Sequence, residues 1–292
     1  MAIHPLAIVD PEAQVHPTAS IGPFSYVKGK VVIEANVDLR NHVTVYGRST
    51  IGEGTIVMPH AVVGGDPQDL KFRGEDSEVV IGKRCRIHEF VTINKGTASG
   101  GMRTVIGDDC LIMTSAHIAH DCQLAERVVI SNNAQLAGHI TVGRKAIISG
   151  MVGVHHFVTI GELAFVGAMS GIRTDVPPFT IAEGHPAEVR NVNVVGLRRD
   201  GFADADIRAI KDAFRELFHD RTADERVEAL ARVRASAAAG SPVHRLCDWV
   251  VQQRETSIKG RLQEAHRTPL PMTPGKAAGE ADANAARAAV RA

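Results

Sequence analysis

The chain has 292 residues, of which 33 are acidic and 33 basic, so its formal net charge is zero. This balance argues against a nucleic-acid-binding protein, which usually carries a clustered basic excess. No apolar run approaches the length of about 20 residues that a transmembrane helix needs, so we expect none. The N-terminus lacks the basic and apolar regions of a signal peptide, and we expect a cytoplasmic protein.

An aliphatic residue recurs at every sixth position from Ile3 to Val63, and again from Ile106 to Ile172 after a slip of one position. A small or β-branched residue usually follows each aliphatic residue by four positions, and glycine often follows it directly. A period of six fits neither an α-helix nor an alternating strand. It is typical of short strands joined by tight corners, in which three hexapeptides form one triangular coil. Successive coils stack ~4.8 Å apart.

The composition agrees with such a repetitive interior, because aromatic residues make up only 4% of the chain although 44% is hydrophobic. Cys85, Cys110 and Cys122 all occupy the small inward-facing position of the repeat. We therefore expect buried structural thiols rather than nucleophiles.

Two polar insertions interrupt the repeat, at residues 64–80 and 98–104. The separation between Val63 and Ile81 equals three hexapeptides, so we expect one coil to separate them, with the first insertion replacing or bulging from it. Irregular insertions in a regular scaffold are common places for function.

The repeat ends at Val176-Pro177-Pro178, and the predicted β-helix domain spans residues 1–190. A helical domain is predicted over 191–263, beginning with Ile207, Ile210, Phe214 and Leu217 on one helix face. A capping box at residues 222–225 predicts the start of a second helix, and a third is predicted around 243–250. Residues 264–292 are rich in alanine, proline and charge, and we expect a disordered tail.

Histidines gather on one edge of the predicted prism. His120 and His156 are separated by two full coils, so they should lie on one vertical line ~10 Å apart with Gly138 between them. Three further histidines lie beside this line: His117, His139 and His155. Such a cluster predicts either acid–base catalysis or a metal site, as in hexapeptide proteins of the carbonic-anhydrase type.

Four motifs favour catalysis: residues 67–72 (PQDLKF), 117–122 (HIAHDC), 136–139 (LAGH) and 175–178 (DVPP). In order and spacing they resemble the UDP-N-acetylglucosamine O-acyltransferases, the first enzymes of lipid A synthesis, over roughly residues 3–220. The resemblance implies a left-handed parallel β-helix, a mainly β fold, followed by a small α-helical domain. It also implies transfer of an (R)-3-hydroxyacyl group from acyl carrier protein to the 3-hydroxyl of UDP-N-acetylglucosamine, without a metal, a cofactor or a covalent enzyme intermediate.

The same resemblance assigns site residues. It implies that His120 is the general base, that Asp121 orients it, and that the backbone N–H of Gly138 belongs to the oxyanion hole. Residues implied to line the sugar, thioester and nucleotide sites are Gln68, Asp69, Lys71, His117, His139, His155, His156, Asn193 and Arg199. Ala168 and Met169 match the region that limits acyl-chain length. The sequence departs from the family at Val195, Asp200 and His156, where an acidic residue, a second arginine and a glutamine are common.

The resemblance further implies a homotrimer with active sites between the prisms. Two alternatives stay open from the residues. One is a related N-acyltransferase acting on a 3-amino sugar nucleotide or at the later glucosamine step, although that later enzyme usually has an extra N-terminal domain before its repeats. The other is a structural or metal-binding hexapeptide scaffold.

Overall fold

A computed structural model describes residues 2–218 and 223–255 of the chain. Its main part is a triangular prism with three parallel sheets as faces, which confirms the predicted β-helix. In chain order the strands are β1 (Ala2–Ile3), β2 (Ile8–Val9), β3 (Gln14–Val15), β4 (Ser20–Ile21), β5 (Tyr26–Lys28), β6 (Val32–Ile33), β7 (Asp38–Leu39), β8 (Thr44–Tyr46), β9 (Arg48–Ile51), β10 (Ile56–Val57), β11 (Val62–Gly65), β12 (Glu78–Ile81), β13 (Arg86–Ile87), β14 (Thr92–Asn94), β15 (Arg103–Ile106), β16 (Leu111–Ile112), β17 (His117–Ile118), β18 (Gln123–Leu124), β19 (Val129–Ile130), β20 (Gln135–Leu136), β21 (Thr141–Val142), β22 (Ile147–Ile148), β23 (Gly153–Val154), β24 (Thr159–Ile160), β25 (Phe165–Val166), β26 (Gly171–Ile172), β27 (Thr180–Gly184) and β28 (Ala187–Val192).

Every third strand stacks on the same face. Sheet A contains β1, β4 and so on to β25, followed by β27 and β28; sheet B runs from β2 to β26, and sheet C from β3 to β24. Ile3 pairs with Ile21 and Val15 with Ile33, so one ordinary coil consists of three hexapeptides, as predicted. The repeated aliphatic residues point inward and are buried along the prism axis, together with Cys85, Cys110 and Cys122. This confirms the interpretation of these cysteines as core residues.

Both insertions lengthen a coil without breaking its register. Ile51 pairs with Ile81 across the first insertion, and Ile81 pairs with Ile106 across the second. The expectation that Val63 and Ile81 are separated by one coil is wrong, because Val63 lies on sheet B and pairs with Ile93. The six-residue spacing of the aliphatic residues continues across the first insertion because that insertion adds a whole number of hexapeptides. The second adds one position more than a hexapeptide, which explains the slip in the sequence repeat.

Tight corners join the sheets, and from Phe24 onward most of them have a residue in the left-handed region of backbone space. On the edge between sheets B and C, called the B–C edge, Asp121, His139 and Phe157 have φ of 61°, 64° and 65°. Such angles are uncommon outside glycine. The corner side chains of successive coils lie above one another, and residues far apart in sequence become neighbours there. The A–B and C–A edges are built in the same way.

The antiparallel hairpin β27–β28 leads into four helices: α1 (Val194–Arg199), α2 (Asp204–Phe218), α3 (Ala223–Ser236) and α4 (Pro242–Glu255). The predicted face of α2 packs into a second apolar core that includes Phe179 and Leu197. Arg245 on α4 donates to Glu162 on the prism at 2.8 Å. Thr222 of the predicted capping box and the predicted tail over 264–292 lie outside the described residues. Within the ranges given above, no helix has the length and apolarity to cross a membrane.

Candidate active site

His120 and Asp121 occupy the B–C edge in the coil of β16, β17 and β18. The Nδ1 atom of His120 lies 2.8 Å from Oδ2 of Asp121. An ionised carboxylate can only accept, so Nδ1 carries the proton of this hydrogen bond, and in the neutral imidazole the lone pair lies on Nε2. Because the His120 side chain is only 11% exposed and that of Asp121 1%, the pair is shielded from bulk water. An imidazole oriented in this way can act as a general base.

The loop between β14 and β15, which contains the second insertion, holds Asp121 in place. The backbone N–H of Thr97 donates to Oδ1 at 2.8 Å and the Thr97 hydroxyl to Oδ2 at 2.6 Å. The backbone N–H of Asp121 donates to Oγ1 of Thr104 at 2.8 Å. Burial acts to raise the pKa of Asp121, but the hydrogen bonds from His120 and Thr97 outweigh it and the pKa is lowered. The carboxylate is therefore ionised at neutral pH.

Gly100, also in the second insertion, packs directly on this carboxylate. A Cβ atom at position 100 would lie 2.0 Å from Cγ of Asp121, so no larger residue fits. Thr97, Thr104 and Gly100 were not predicted from the sequence, because the aliphatic repeat is interrupted between Ile93 and Ile106. The glycines at positions 100 and 101 were the available signal, since adjacent glycines often mark a close backbone approach.

Gly138 lies one coil above His120 and leaves the space that the imidazole fills. A Cβ atom there would be 2.4 Å from Cε1 and 2.6 Å from Nε2 of His120. The backbone N–H of Gly138 has no acceptor among residues 2–218 and 223–255. A donor that is free in this way can serve a developing oxyanion beside the base.

His139 shares the same carboxylate at a longer distance. Its Nδ1 lies 3.7 Å from Oδ2 of Asp121, and its ring meets that of His120 edge-on with centroids 5.0 Å apart. Phe157 stacks on the other face of His139, with centroids 4.4 Å apart and planes 6° from parallel. Phe157 was not predicted from the sequence, although it follows His156 and lies one coil after His139.

His120, Asp121 and His139 also form a group of potential metal ligands, with ligand atoms within 4.8 Å of one another. Imidazole and carboxylate donors suit zinc. However, Oδ2 of Asp121 already accepts from Thr97 and lies at hydrogen-bonding distance from His120. A metal bound here would take the nitrogen and the carboxylate that orient the base.

The first insertion brings Asp69 and Lys71 to the same edge. Oδ2 of Asp69 lies 4.0 Å from Nε2 of His120 and 3.2 Å from Nζ of Lys71. Burial acts to raise the pKa of Asp69, but the backbone N–H and ammonium of Lys71 prevail and the pKa is lowered. Gln68, on the same loop, is exposed.

The remaining predicted histidines lie around this centre. His117 points outward from β17 on sheet B, where its Nδ1 is 2.7 Å from Oγ1 of Thr92. Burial, followed by the nearby charge of His120, lowers the pKa of His117, so it is neutral at pH 7. His155 and His156 follow β23 with ring centroids 4.2 Å apart, and the His156 ring lies 6.0 Å from that of Phe157.

Two predicted groups lie away from the B–C edge. Asn193 and Arg199 line a cavity of about 480 Å³ between sheet A and α1, on the prism face opposite His120. Asn193 is buried, donates to the Leu163 carbonyl at 2.9 Å and caps α1. Ala168 and Met169 are exposed on the A–B edge, and Met169 has φ of 59°.

Comparisons with known proteins agree with the motifs. The family model described as "Udp N-acetylglucosamine O-acyltransferase; Domain 2" matches residues 175–258, and "Bacterial transferase hexapeptide (six repeats)" matches 103–138. The chain is similar to the acyl-[acyl-carrier-protein]–UDP-N-acetylglucosamine O-acyltransferase of Rhizobium johnstonii, with 39% identity over 85% of this chain and 88% of the relative. The Synechocystis enzyme of the same name is 45% identical over 78% and 79%.

The fold is likewise similar to a solved structure, the UDP-N-acetylglucosamine O-acyltransferase (LpxA) of Moraxella catarrhalis. Superposition gives a TM-score of 0.84 at 36% identity, covering 89% of this chain and 99% of the other. At this coverage the two chains share both the prism and the C-terminal helices.

Proposed function

This chain belongs to the family of acyl-[acyl-carrier-protein]–UDP-N-acetylglucosamine O-acyltransferases, and on that premise we propose its reaction and the residues that perform it. It is an acyltransferase that moves an (R)-3-hydroxyacyl group from acyl carrier protein to the 3-hydroxyl of UDP-N-acetylglucosamine, the first step of lipid A synthesis. We place this reaction in the cytoplasm.

The observation that carries the mechanism is the hydrogen bond between His120 and Asp121 beside the free N–H of Gly138. Nε2 of His120 takes the proton of the sugar hydroxyl as its oxygen attacks the thioester carbonyl. The Gly138 N–H stabilises the resulting oxyanion. When the intermediate collapses, the carbon–sulfur bond breaks and the protonated imidazole returns the proton to the leaving thiolate.

The other residues of the B–C edge bind and orient the two substrates in this proposal. Lys71 and His155 offer hydrogen-bond donors to the sugar nucleotide, while Asp69 lies close enough to His120 to accept from a hydroxyl placed between them. Neutral His117 adds a ring nitrogen that needs no counterion. The stack of His139 on Phe157 forms the wall beside the reacting carbonyl.

A trimer explains why the site residues are divided between opposite faces. Exposed apolar side chains follow the A–B edge: Leu6, Phe24, Phe90, Met151 and Met169. His42 and His60 stack between Phe24 and Phe90, with ring centroids 4.9–5.1 Å apart. If three copies meet along this edge, sheet B of one copy faces sheet A of the next. The cavity beside Asn193 then opens toward the neighbour's His120.

The acyl donor is expected to dock on the helical domain. Acyl carrier proteins are acidic, so a basic surface would steer their approach. The basic residues of α1 and α2 provide such a surface: Arg198, Arg199, Arg208, Lys211 and Arg215.

The test offers purified protein UDP-N-acetylglucosamine and a series of 3-hydroxyacyl carrier proteins, and identifies products by mass. An O-acylated product in the wild type, lost in His120→Ala, is expected. Turnover only with a 3-amino sugar nucleotide would contradict the acceptor, and stoichiometric zinc required for activity would contradict the base mechanism. Sedimentation should give a trimer, and Phe90→Glu combined with Met151→Glu should dissociate it with loss of activity.

A further inference from the structure

The cavity between sheet A and α1 contains a charge arrangement that the proposed mechanism has not used. Three cations, Arg127, Lys145 and Arg199, line it together with one carboxylate, Asp200. The floor is apolar and is formed by Val129, Ile147, Phe165 and Ile181. An excess of positive charge above an apolar floor suits an anion attached to a flat, weakly polar group.

Lys145 and Asp200 are fixed against each other. The ammonium of Lys145 contacts Oδ1 of Asp200, and Arg144 lies 3.7 Å from the other carboxylate oxygen. The Asp200 side chain is only 11% exposed. Its backbone N–H donates to Gly196 at the C-terminal end of α1, so the helix sets its position.

The backbone also fixes where Lys145 stands. Arg127, Lys145 and Leu163 are corner residues of successive coils on the C–A edge, with φ of 59°, 57° and 53°. Lys145 therefore lies between Arg127 one coil below and Leu163 one coil above, and all three line the cavity. An ammonium has three donors, and the contact with Asp200 leaves donors for a ligand.

We propose that Lys145 is a specificity-determining residue that binds the diphosphate of the sugar nucleotide, and that Asp200 is the positioning residue that aims it. This inference rests on the proposed function. Asp200 is the one carboxylate that lines the cavity, and its contact with Lys145 holds the ammonium there. The apolar floor receives the uridine, while Arg127 and Arg199 complete the positive rim.

The test compares binding of UDP and of uridine to the intact wild type and to Lys145→Met by calorimetry. A hydrogen bond to a charged group usually contributes about 1.5–3 kcal/mol, so UDP affinity should fall ~10–100-fold. Uridine has no phosphate, and its affinity should not change. In turnover, the KM for UDP-N-acetylglucosamine should rise. Neither kcat nor the KM for the acyl carrier protein should change.

A matched control is Lys83→Met, which removes another ion-paired lysine near the C–A edge, paired with Glu53 at 3.3 Å and outside the cavity. It should bind UDP like the wild type. The double variant Lys145→Met/Asp200→Arg moves the cation to the other partner and should recover most of the lost UDP affinity.

Wild-type affinity for UDP in Lys145→Met, or an equal loss for uridine, would overturn the inference, and so would a double variant as weak as the single one. A wild-type protein that binds no UDP would instead overturn the nucleotide acceptor of the proposed function, and this inference with it. The two failures are therefore distinguishable in one experiment.

Discussion

Replacement of Gly138 by alanine should inactivate the enzyme by displacing His120 rather than by unfolding it. The new methyl group would lie 2.4 Å from Cε1 of the imidazole, whereas carbon atoms in contact are usually ~3.5–4.0 Å apart. The ring must retreat by roughly 1 Å. Its 2.8 Å hydrogen bond to Asp121 then lengthens beyond hydrogen-bonding range.

A displacement of this size in a reacting group lowers rates about 10²-fold, and we expect that loss in kcat. Overfilling a packed site costs ~1–3 kcal/mol, which for a protein of this size lowers the melting temperature by only a few degrees. The assay is turnover with UDP-N-acetylglucosamine and hydroxyacyl carrier protein, alongside thermal unfolding. Gly150→Ala is the control, because its Cβ meets only a carbonyl oxygen of Asn132, at 3.3 Å.

Gly138→Ala in a His120→Ala background shows whether the activity is lost through displacement of the His120 ring or through damage to the Gly138 amide. Without the imidazole the new methyl group has space, so Gly138→Ala should cost little further activity, as expected for coupled neighbours. Wild-type kcat in the single variant would refute the reasoning. A fully additive loss in the double variant would place the damage at the Gly138 amide instead of at His120.

Other variants test the remaining roles. His120→Ala alone should lower kcat ~10²–10⁴-fold with the trimer intact, measured by turnover and sedimentation; near-normal turnover would remove it from the base role. The pKa of Asp121 in the folded protein lies below its ordinary 3.8, so the ionised carboxylate stabilises the fold above that pH. The wild type should therefore melt at a higher temperature than Asp121→Asn, and this difference should shrink as the pH falls below about 4. A difference that stays constant with pH would contradict this. Arg208→Glu with Arg215→Glu should raise KM for the acyl carrier protein, and added salt should weaken its binding to the wild type; unchanged kinetics would move the docking surface elsewhere. Ala168→Gly should shift relative kcat/KM toward longer acyl chains and Ala168→Met toward shorter ones, since filled sites resist extra volume; an unchanged ranking in both would exclude Ala168 as a determinant.

The regular parts of the fold were predictable because one physical pattern repeats. Ile3, Ile21 and Leu39 hold the same position in successive coils and stack on one face, so the sequence alone predicted the coil and the inward side chains. The same arithmetic placed His120 beside Gly138. Residues that are 18 positions apart can be predicted to stack on one another wherever each coil has the same length.

The parts that could not be predicted lie where the spacing changes. Thr97 and Gly100 contact Asp121 only because the loop between β14 and β15 folds back on the edge, and no periodicity encodes that path. The wrong expectation that Val63 and Ile81 are one coil apart has the same origin. An insertion of whole hexapeptides leaves the six-residue spacing intact, so the sequence looks as if no residues had been inserted. The charges of Lys145 and Asp200 are visible in the sequence, but their contact joins a corner of the prism to a helix end several coils further along the chain.

The two lengthened coils place residues of the active site on inserted loops, whereas the stability of the protein comes from the regular prism. Closing a flexible loop costs only ~0.6 kcal/mol more for each doubling of its length. An ordinary corner has four residues between its strands, whereas the connections from Gly65 to Glu78 and from Asn94 to Arg103 have 12 and eight. By this scaling each insertion adds only about 1 kcal/mol or less to the cost of closure. The prism below and above keeps its strand pairing unchanged. Loops that carry Asp69 and grip Asp121 could therefore change in length and sequence during evolution with almost no penalty to the scaffold.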